Sequence, residues 1–412
     1  MKHSFLYAAV LVTAAFTYAH IPQAHATPDN ARPHDLNRLP SHSRMLSRRR
    51  DRTEASQHSI KDPADQCKWY ELPNSHKLRS AYPEDGIASI VDGDHQAQQV
   101  WNDIKSSGII PANVNVKQGT ADHMGIEQSA MQSYPQADPD CWWSASGCTS
   151  PKHDRISHDV TECPEPSTWG LTFDDGPNCS HNAFYDFLGR NKLKATMFFI
   201  GTNVLNYPLQ AQRALADGHD VCVHTWSHHY MSTLSNEQVF AELFYTMRII
   251  KDVIGVTPRC WRPPFGDTDD RVRAIAHALG LRTIIWSDDT DDWNILPAGS
   301  KPTASIDANY ERIIRKQRHA DHGNIVLAHE INDHTMREFM RMYPKIKKAY
   351  KHVVPLTACL NVTQPYVEHS PKYVTFADAT HGHTPSGIPS AFSVHVKSDM
   401  HITPVHKQNS GF

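Results

Sequence analysis

The chain has 412 residues and a formal charge of −3, with 41 Lys and Arg against 44 Asp and Glu. That balance leaves no basic surplus for a nucleic-acid partner, and the length suits one large domain with appendages. Eight cysteines, Cys67, Cys141, Cys148, Cys163, Cys179, Cys222, Cys260 and Cys359, occur without a C-x-x-C pair. They fit an oxidising compartment and argue against a thiolate zinc site or a redox motif.

Residues Met1 to Ala26 combine a single Lys2, an apolar run from Phe5 to Tyr18 and the small-x-small sequence Ala24-His25-Ala26. The run is too short to span a bilayer, so residues 1–26 read as a signal peptide cut before Thr27. No other stretch is apolar enough for a transmembrane segment, and His401 to Phe412 lacks the hydrophobic tail of a GPI signal. The expectation is a secreted protein, extracellular or held in the cell wall. Residues 27–61 are rich in Pro, Arg, Ser and His, with a basic run at Arg48-Arg49-Arg50, and read as disordered or propeptide-like. Residues 62–162 carry scattered structured signals, such as Val100-Trp101-Asn102-Asp103-Ile104 and Cys141-Trp142-Trp143, and read as an extension packed on the main domain. That domain is placed at 163–366, and the His/Ser/Pro-rich tail 367–412 is expected to be disordered. Most of the 28 histidines read as solvated surface. Cys141 and Cys148 are near enough in sequence to close a local loop, and a Cys179–Cys359 bridge across the motif-rich region is the other pairing expected. Asn178-Cys179-Ser180 and Asn361-Val362-Thr363 are glycosylation candidates, the first in crowded company.

From Trp169 strands and helices alternate. The strands expected are Trp169–Phe173, Ala195–Ile200, Asp220–His224, Cys260–Arg262, Arg282–Trp286, Ile325–Ala328 and Val353–Leu356. The clearest helix runs from Asn236 to Ile254, with Ser235 as its cap and Gln238 completing a capping box. A second follows Thr335, with Glu338 three residues on. Gly218 and Gly280 stand where helices should stop. About seven strands, each followed by a helix or long loop, imply α/β architecture with a parallel sheet. A distorted (β/α) barrel with irregular N- and C-terminal extensions is the fold expected, although an open doubly wound sheet shares the same local pattern. In a barrel the chemistry collects at the C-terminal strand ends.

The polar motifs fall there. After the first strand come Asp174-Asp175-Gly176-Pro177, two adjacent carboxylates that repel unless something neutralises one of them. A bound metal does so, leaving the other acid free to act as a base. After the third come His224-Thr225-Trp226-Ser227-His228, whose two imidazoles share a face if the segment is helical. After the fourth, Arg262-Pro263-Pro264-Phe265-Gly266 offers a stiff backbone able to aim an N–H at developing charge. After the fifth come Asp289-Thr290-Asp291-Asp292-Trp293, and after the sixth Leu327-Ala328-His329-Glu330. A histidine there can serve as general acid, with a carboxylate holding its tautomer and raising its pKa.

Five motifs in this order resemble the polysaccharide deacetylase family, also called the NodB-homology or carbohydrate esterase 4 family, over Trp169 to Leu356. The wider stretch from Trp101 through Cys141-Trp142-Trp143 to Cys163-Pro164-Glu165-Pro166 is similar to fungal chitin deacetylases. The resemblance implies a distorted (β/α) barrel and a divalent metal, zinc first with cobalt as the alternative, held by Asp175, His224 and His228. It implies Asp174 as catalytic base steadied by Arg262, Phe265 as oxyanion donor through its backbone N–H, and His329 as general acid paired with Asp292. Trp293 and Leu327 would line the acetyl-methyl pocket. Relatives often carry Tyr at the position of Phe265, a change that leaves the backbone donor intact. The implied substrate is chitin or a chito-oligosaccharide in a cell-wall polysaccharide, hydrolysed to acetate and a glucosamine unit. Peptidoglycan deacetylases and acetylxylan esterases share the motifs, and the fungal-like flanks and the sequons favour chitin. A non-catalytic chitin-binding wall protein would tolerate loss of Asp174 or His329, and both are present. A two-His, one-carboxylate iron oxygenase is disfavoured by the strand–helix alternation, and a zinc protease by the lack of His-Glu-x-x-His.

Overall fold

The stretch from Thr168 to Gly176 is buried at nearly every position and forms the longest strand. A strand buried on both faces belongs in a parallel sheet covered by helices. The computed structural model describes residues 53–73, 75–296, 298–316, 320–400 and 402, all within one unit, His42–Phe412. The proposed signal peptide, Arg48-Arg49-Arg50 and most of His401–Phe412 lie outside the described residues.

Among the described residues there are nine strands: β1 (Glu162–Cys163), β2 (Thr168–Gly176), β3 (Thr196–Phe199), β4 (Asp220–Val223), β5 (Cys260–Trp261), β6 (Arg282–Thr283), β7 (Asp288–Asp289), β8 (Gly323–Leu327) and β9 (His352–Val354). Their order is β1-β8-β2-β3-β4-β5-β6, with β7 on β8 and β9 on β2. Only β1 is antiparallel to its partner. The chain from Arg282 to Asp289 links the β6 end of this order to β8, next to the other end: Thr283 pairs with Trp261, and Asp289 with Leu327. It thereby curls the sheet into the distorted barrel expected. The sequence reading found the first half of this stretch and missed β7, which turns away from β5 after Ile284. It also missed the two-residue β1.

The main helices are α1 (His95–Ser106), α2 (Asn182–Arg190), α3 (Gly201–Asn206), α4 (Pro208–Ala216), α5 (Asn236–Ile254), α6 (Asp270–Ala278), α7 (Thr303–Lys316) and α8 (Asp333–Ala349). Helix α5 has the expected capping box, Ser235 with Gln238, and stops at left-handed Gly255. Helix α8 begins three residues earlier than expected, because Asn332 caps it and Thr335 completes the box. Gly218 and Gly280 follow α4 and α6 with φ of 79° each, as a helix stop requires.

The extension shares the core of the barrel's helices. Leu78, Tyr82, Ala97 and Trp101 are buried with α5, and Trp101 stacks on Phe240 at 5.4 Å. Order also reaches further towards both ends than composition indicated. Residues Glu54–His58 form a short helix capped by Thr53. The tail expected to be disordered is anchored as far as Met400, which is buried. Its anchors are sparse but strong: the Glu368 carboxylate accepts from Thr257 N at 2.6 Å and from Lys251 Nζ at 2.7 Å. Asp252 of α5 accepts from Lys397 N and Ser398 N at 2.8 Å each, and from the Tyr82 hydroxyl at 2.6 Å. Composition averages over a segment and does not register a few such contacts.

Four disulfides join Cys67–Cys179, Cys141–Cys148, Cys163–Cys359 and Cys222–Cys260. The local Cys141–Cys148 loop is as expected. The Cys179–Cys359 pairing is not formed. Cys179 lies beyond the C-terminal end of β2, whereas Leu356 donates to Thr196 at the start of β3, which puts Cys359 near the opposite end of the barrel. No helix among the described residues is long and apolar enough to cross a membrane.

Candidate active site

The two aspartates lie in the last residues of β2, not after it. The pairing with β3 shifts register between Asp174 and Gly176. A bulge of this kind re-aims side chains, and Asp175 takes a left-handed φ of 70°. A Cβ on Gly176 would press on the buried Glu330 carboxylate and the Phe199 ring.

His224 follows β4, and its loop is not helical. Thr225 and His228 have φ of 66° and 59°, so two left-handed residues, rather than a helical turn, bring the imidazoles together. Such conformations are strained in non-glycine residues and persist where the surroundings over-determine them. Here the surroundings include Glu242, fully buried in α5. Its carboxylate accepts from Trp226 N at 2.8 Å, Ser227 N at 2.9 Å, Ser227 Oγ at 2.7 Å and Ala88 N at 2.7 Å. Burial pushes its pKa up, against the pull of those donors. Sequence reasoning missed Glu242. Its signal was an acid three residues after Val239 on an apolar helix stripe.

Asp175 Oδ1 stands 3.2 Å from His224 Nε2 and 3.0 Å from His228 Nε2. His224 Nδ1 lies 2.8 Å from the Arg262 carbonyl, which can only accept, so Nδ1 carries the hydrogen. The Nε2 lone pair then faces a carboxylate oxygen. Two electron-rich atoms held this close call for a cation between them, or a proton. The three ligand atoms lie within 4.8 Å of one another, and the set of two imidazoles and one carboxylate fits a divalent metal. Burial alone would raise the Asp175 carboxyl, but the two imidazoles outweigh it and hold the pKa well below the usual range.

Asp174 is buried beside this group. Its Oδ1 accepts from Arg262 Nη1 at 2.7 Å, and its Oδ2 lies 3.8 Å from His224 Nε2. Arg262 is fully buried, packs over Phe198 at 4.1 Å and also donates to Thr172 Oγ1 at 2.9 Å. The expected Arg262–Asp174 pair is therefore formed, with one carboxylate oxygen left facing the imidazoles. Phe265 sits in the turn Pro264–Gly266 with a φ of 58°. Its ring stacks on Tyr230 at 4.2 Å and meets His228 edge-on at 4.7 Å.

His329 follows β8. Asp174 N donates to Ala328 O at 2.9 Å and Glu330 N to Asp174 O at 3.0 Å, which sets the two strand ends side by side. His329 Nδ1 lies 2.6 Å from Asp292 Oδ1, and its backbone N donates to Oδ2 at 3.0 Å. Burial disfavours the charged ring, but the Asp292 carboxylate outweighs it and the pKa is pushed up to about 10. Glu330 points away, towards Tyr185 at 3.4 Å and His181 at 3.7 Å. Trp293 follows Asp292 in the turn Asp292–Asn294 and is 37% exposed, while Leu327 is the buried last residue of β8. Asp267 is the other residue that sequence reasoning missed. Fully buried, it accepts from Trp142 Nε1 at 2.9 Å, Ser144 Oγ at 2.6 Å, Ser232 N at 2.7 Å and Ser232 Oγ at 3.0 Å.

A family model described as polysaccharide deacetylase matches residues 161–284. A protein named chitin deacetylase 2 from Cryptococcus neoformans var. grubii is 48% identical over 355 residues, 83% of this chain and 76% of that protein. A chitin deacetylase from Amylomyces rouxii is 53% identical over 235 residues, 56% of this chain and 55% of that one. Among solved structures, the chitin deacetylase of Colletotrichum lindemuthianum aligns with a TM-score of 0.46 at 24% identity, covering 52% of this chain and 99% of that one. With its motifs gathered at one end of the barrel and relatives matched over most of their length, this chain belongs to the polysaccharide deacetylase family.

Proposed function

We propose that the chain is a chitin deacetylase, which hydrolyses the N-acetyl groups of N-acetylglucosamine units in chitin to give chitosan and acetate. The observation that carries this reading is the placing of a carboxylate and an imidazole, Asp174 and His329, on neighbouring strand ends around the Asp175–His224–His228 group. The names of the Cryptococcus and Amylomyces relatives support chitin as the glycan.

Zinc suits the donor set, with cobalt as the alternative; once bound it would act as a Lewis acid towards the acetamide oxygen and lower the pKa of water. Asp174 is the base. Arg262 occupies its Oδ1, so Oδ2 takes the proton of the attacking water. The Phe265 N–H donates to the oxyanion as it develops. His329, protonated through Asp292, gives its proton to the leaving amine, a group that does not depart without one. Trp293 and Leu327 line the space for the acetyl methyl.

Four disulfides support a secreted or wall-associated protein. Asn361 is exposed and is the sequon proposed to carry glycan. The Asn178 amide is already engaged by Ile331 O, at 2.5 Å.

The test is acetate release from chitin oligomers by zinc-loaded, chelated and Asp174→Asn protein, with acetylxylan as a second substrate. Metal-dependent release from the oligomers, lost in Asp174→Asn, is expected. Release from acetylxylan alone would keep the mechanism and overturn the substrate.

A further inference from the structure

Residues 141–148 precede the stretch that the family model matches, yet they pack against the site. Trp143 makes the contact. Its ring lies so close to Gly266, the residue after Phe265, that a Cβ there would strike it. It meets Trp286 edge to face with ring centroids 5.2 Å apart. Trp286 in turn lies 5.8 Å from the Arg262 guanidinium that holds Asp174. On the other side of the same turn, Phe265 touches His228. Trp143 is therefore linked to the base through Trp286 and Arg262, and to the metal-binding group through Gly266 and Phe265.

Folding alone does not account for this indole. Its neighbour Trp142 is the anchor, buried and donating to Asp267. Trp143 and Trp286 both remain partly exposed. The loop is held rigid by Cys141–Cys148, by Trp143 N donating to Thr268 O at 2.9 Å and by Ser144 Oγ donating to Asp267. Large aromatics kept fixed and partly wet beside a polar site present apolar area that a ligand can cover. The C–H face of a pyranose is such a ligand surface.

We propose that Trp143, with Trp286, holds a sugar ring next to the unit being deacetylated, so that the Cys141–Cys148 loop is part of the substrate site. The ligand class is a chain of N-acetylhexosamine units, and the inference rests on the function proposed above.

The test uses the full chain with Trp143→Ala and Trp143→Phe. Binding of chitin tetramer is measured by calorimetry in the Asp174→Asn background. Turnover of the tetramer and of para-nitrophenyl acetate, a small ester with no second sugar, is measured with Asp174 in place. Trp143→Ala should weaken tetramer binding and raise its KM about tenfold, with ester turnover unchanged, and Trp143→Phe should recover most of the loss. Equal losses on tetramer and ester would mean that Trp143 only props the Gly266 turn, and would overturn the inference. An unchanged tetramer KM would overturn it as well. A wild type that cleaves the ester but releases no acetate from the tetramer would instead overturn the substrate reading, and the ligand class named here with it.

Discussion

At the scale of single residues the proposed mechanism divides its labour between two neighbouring acids. Arg262 neutralises Asp174, while two imidazoles face Asp175. The expected consequence is separable loss. Asp174→Asn should lower kcat by about 10³-fold with metal content by atomic emission unchanged, whereas His224→Ala should lose both. His329 carries a second prediction. Its folded pKa, about 10, lies above its ordinary 6.5. In the metal-free protein its contribution to stability is therefore fully present below about pH 6.5 and is lost as the pH rises through about 10. Asp292→Asn should flatten that dependence, read as Tm against pH. It should also move the alkaline limb of kcat to lower pH and lower kcat about 100-fold. The residues proposed to bear the chemistry were legible in the sequence because most are reactive types at or just after a strand end. Glu242 and Asp267 were not, because many of their partners are backbone N–H groups or residues more than a hundred positions away.

At the scale of elements, the conformation of the His224–His228 loop depends on a helix it does not belong to. Glu242→Ala would leave the N–H groups of Trp226, Ser227 and Ala88 without their carboxylate. Metal affinity, measured by chelator competition, should fall by about 10-fold or more, while the far-ultraviolet circular dichroism stays close to wild type. The longer strands and α5 could be read from periodicity because their burial is regular. Strand β7 could not, since two residues carry no period, and its pairing with β8 depends on the barrel already being curled. The helical condition placed on His224–His228 is not met, for a related reason. Spacing reports that two side chains can meet, but not whether a helix or two left-handed residues bring them together.

At the scale of the molecule, the parts that looked like appendages are woven into the barrel. The extension supplies Trp101 to the α5 face and Trp142 to Asp267, and the tail closes on Asp252. The Cys163–Cys359 bridge ties the first strand to the segment after the last, across a sequence separation of 196. Replacing both cysteines by serine should lower Tm by roughly 5–10 °C, read by calorimetry, with kcat little changed because the bridge lies at the barrel end away from the site.

The sheet order has a consequence for how the chain is made. Strand β2, which carries both aspartates, is among the first strands to be synthesised, yet it is central, flanked by β3 on one edge and β8 on the other. Strand β8 emerges from the ribosome roughly 150 residues later, a delay of about 10–30 s at ordinary rates of translation. Throughout that interval one edge of an apolar strand has no partner, which is the circumstance in which edges pair with other chains. Production of this protein should therefore depend on chaperone capacity during synthesis more than its finished stability would indicate.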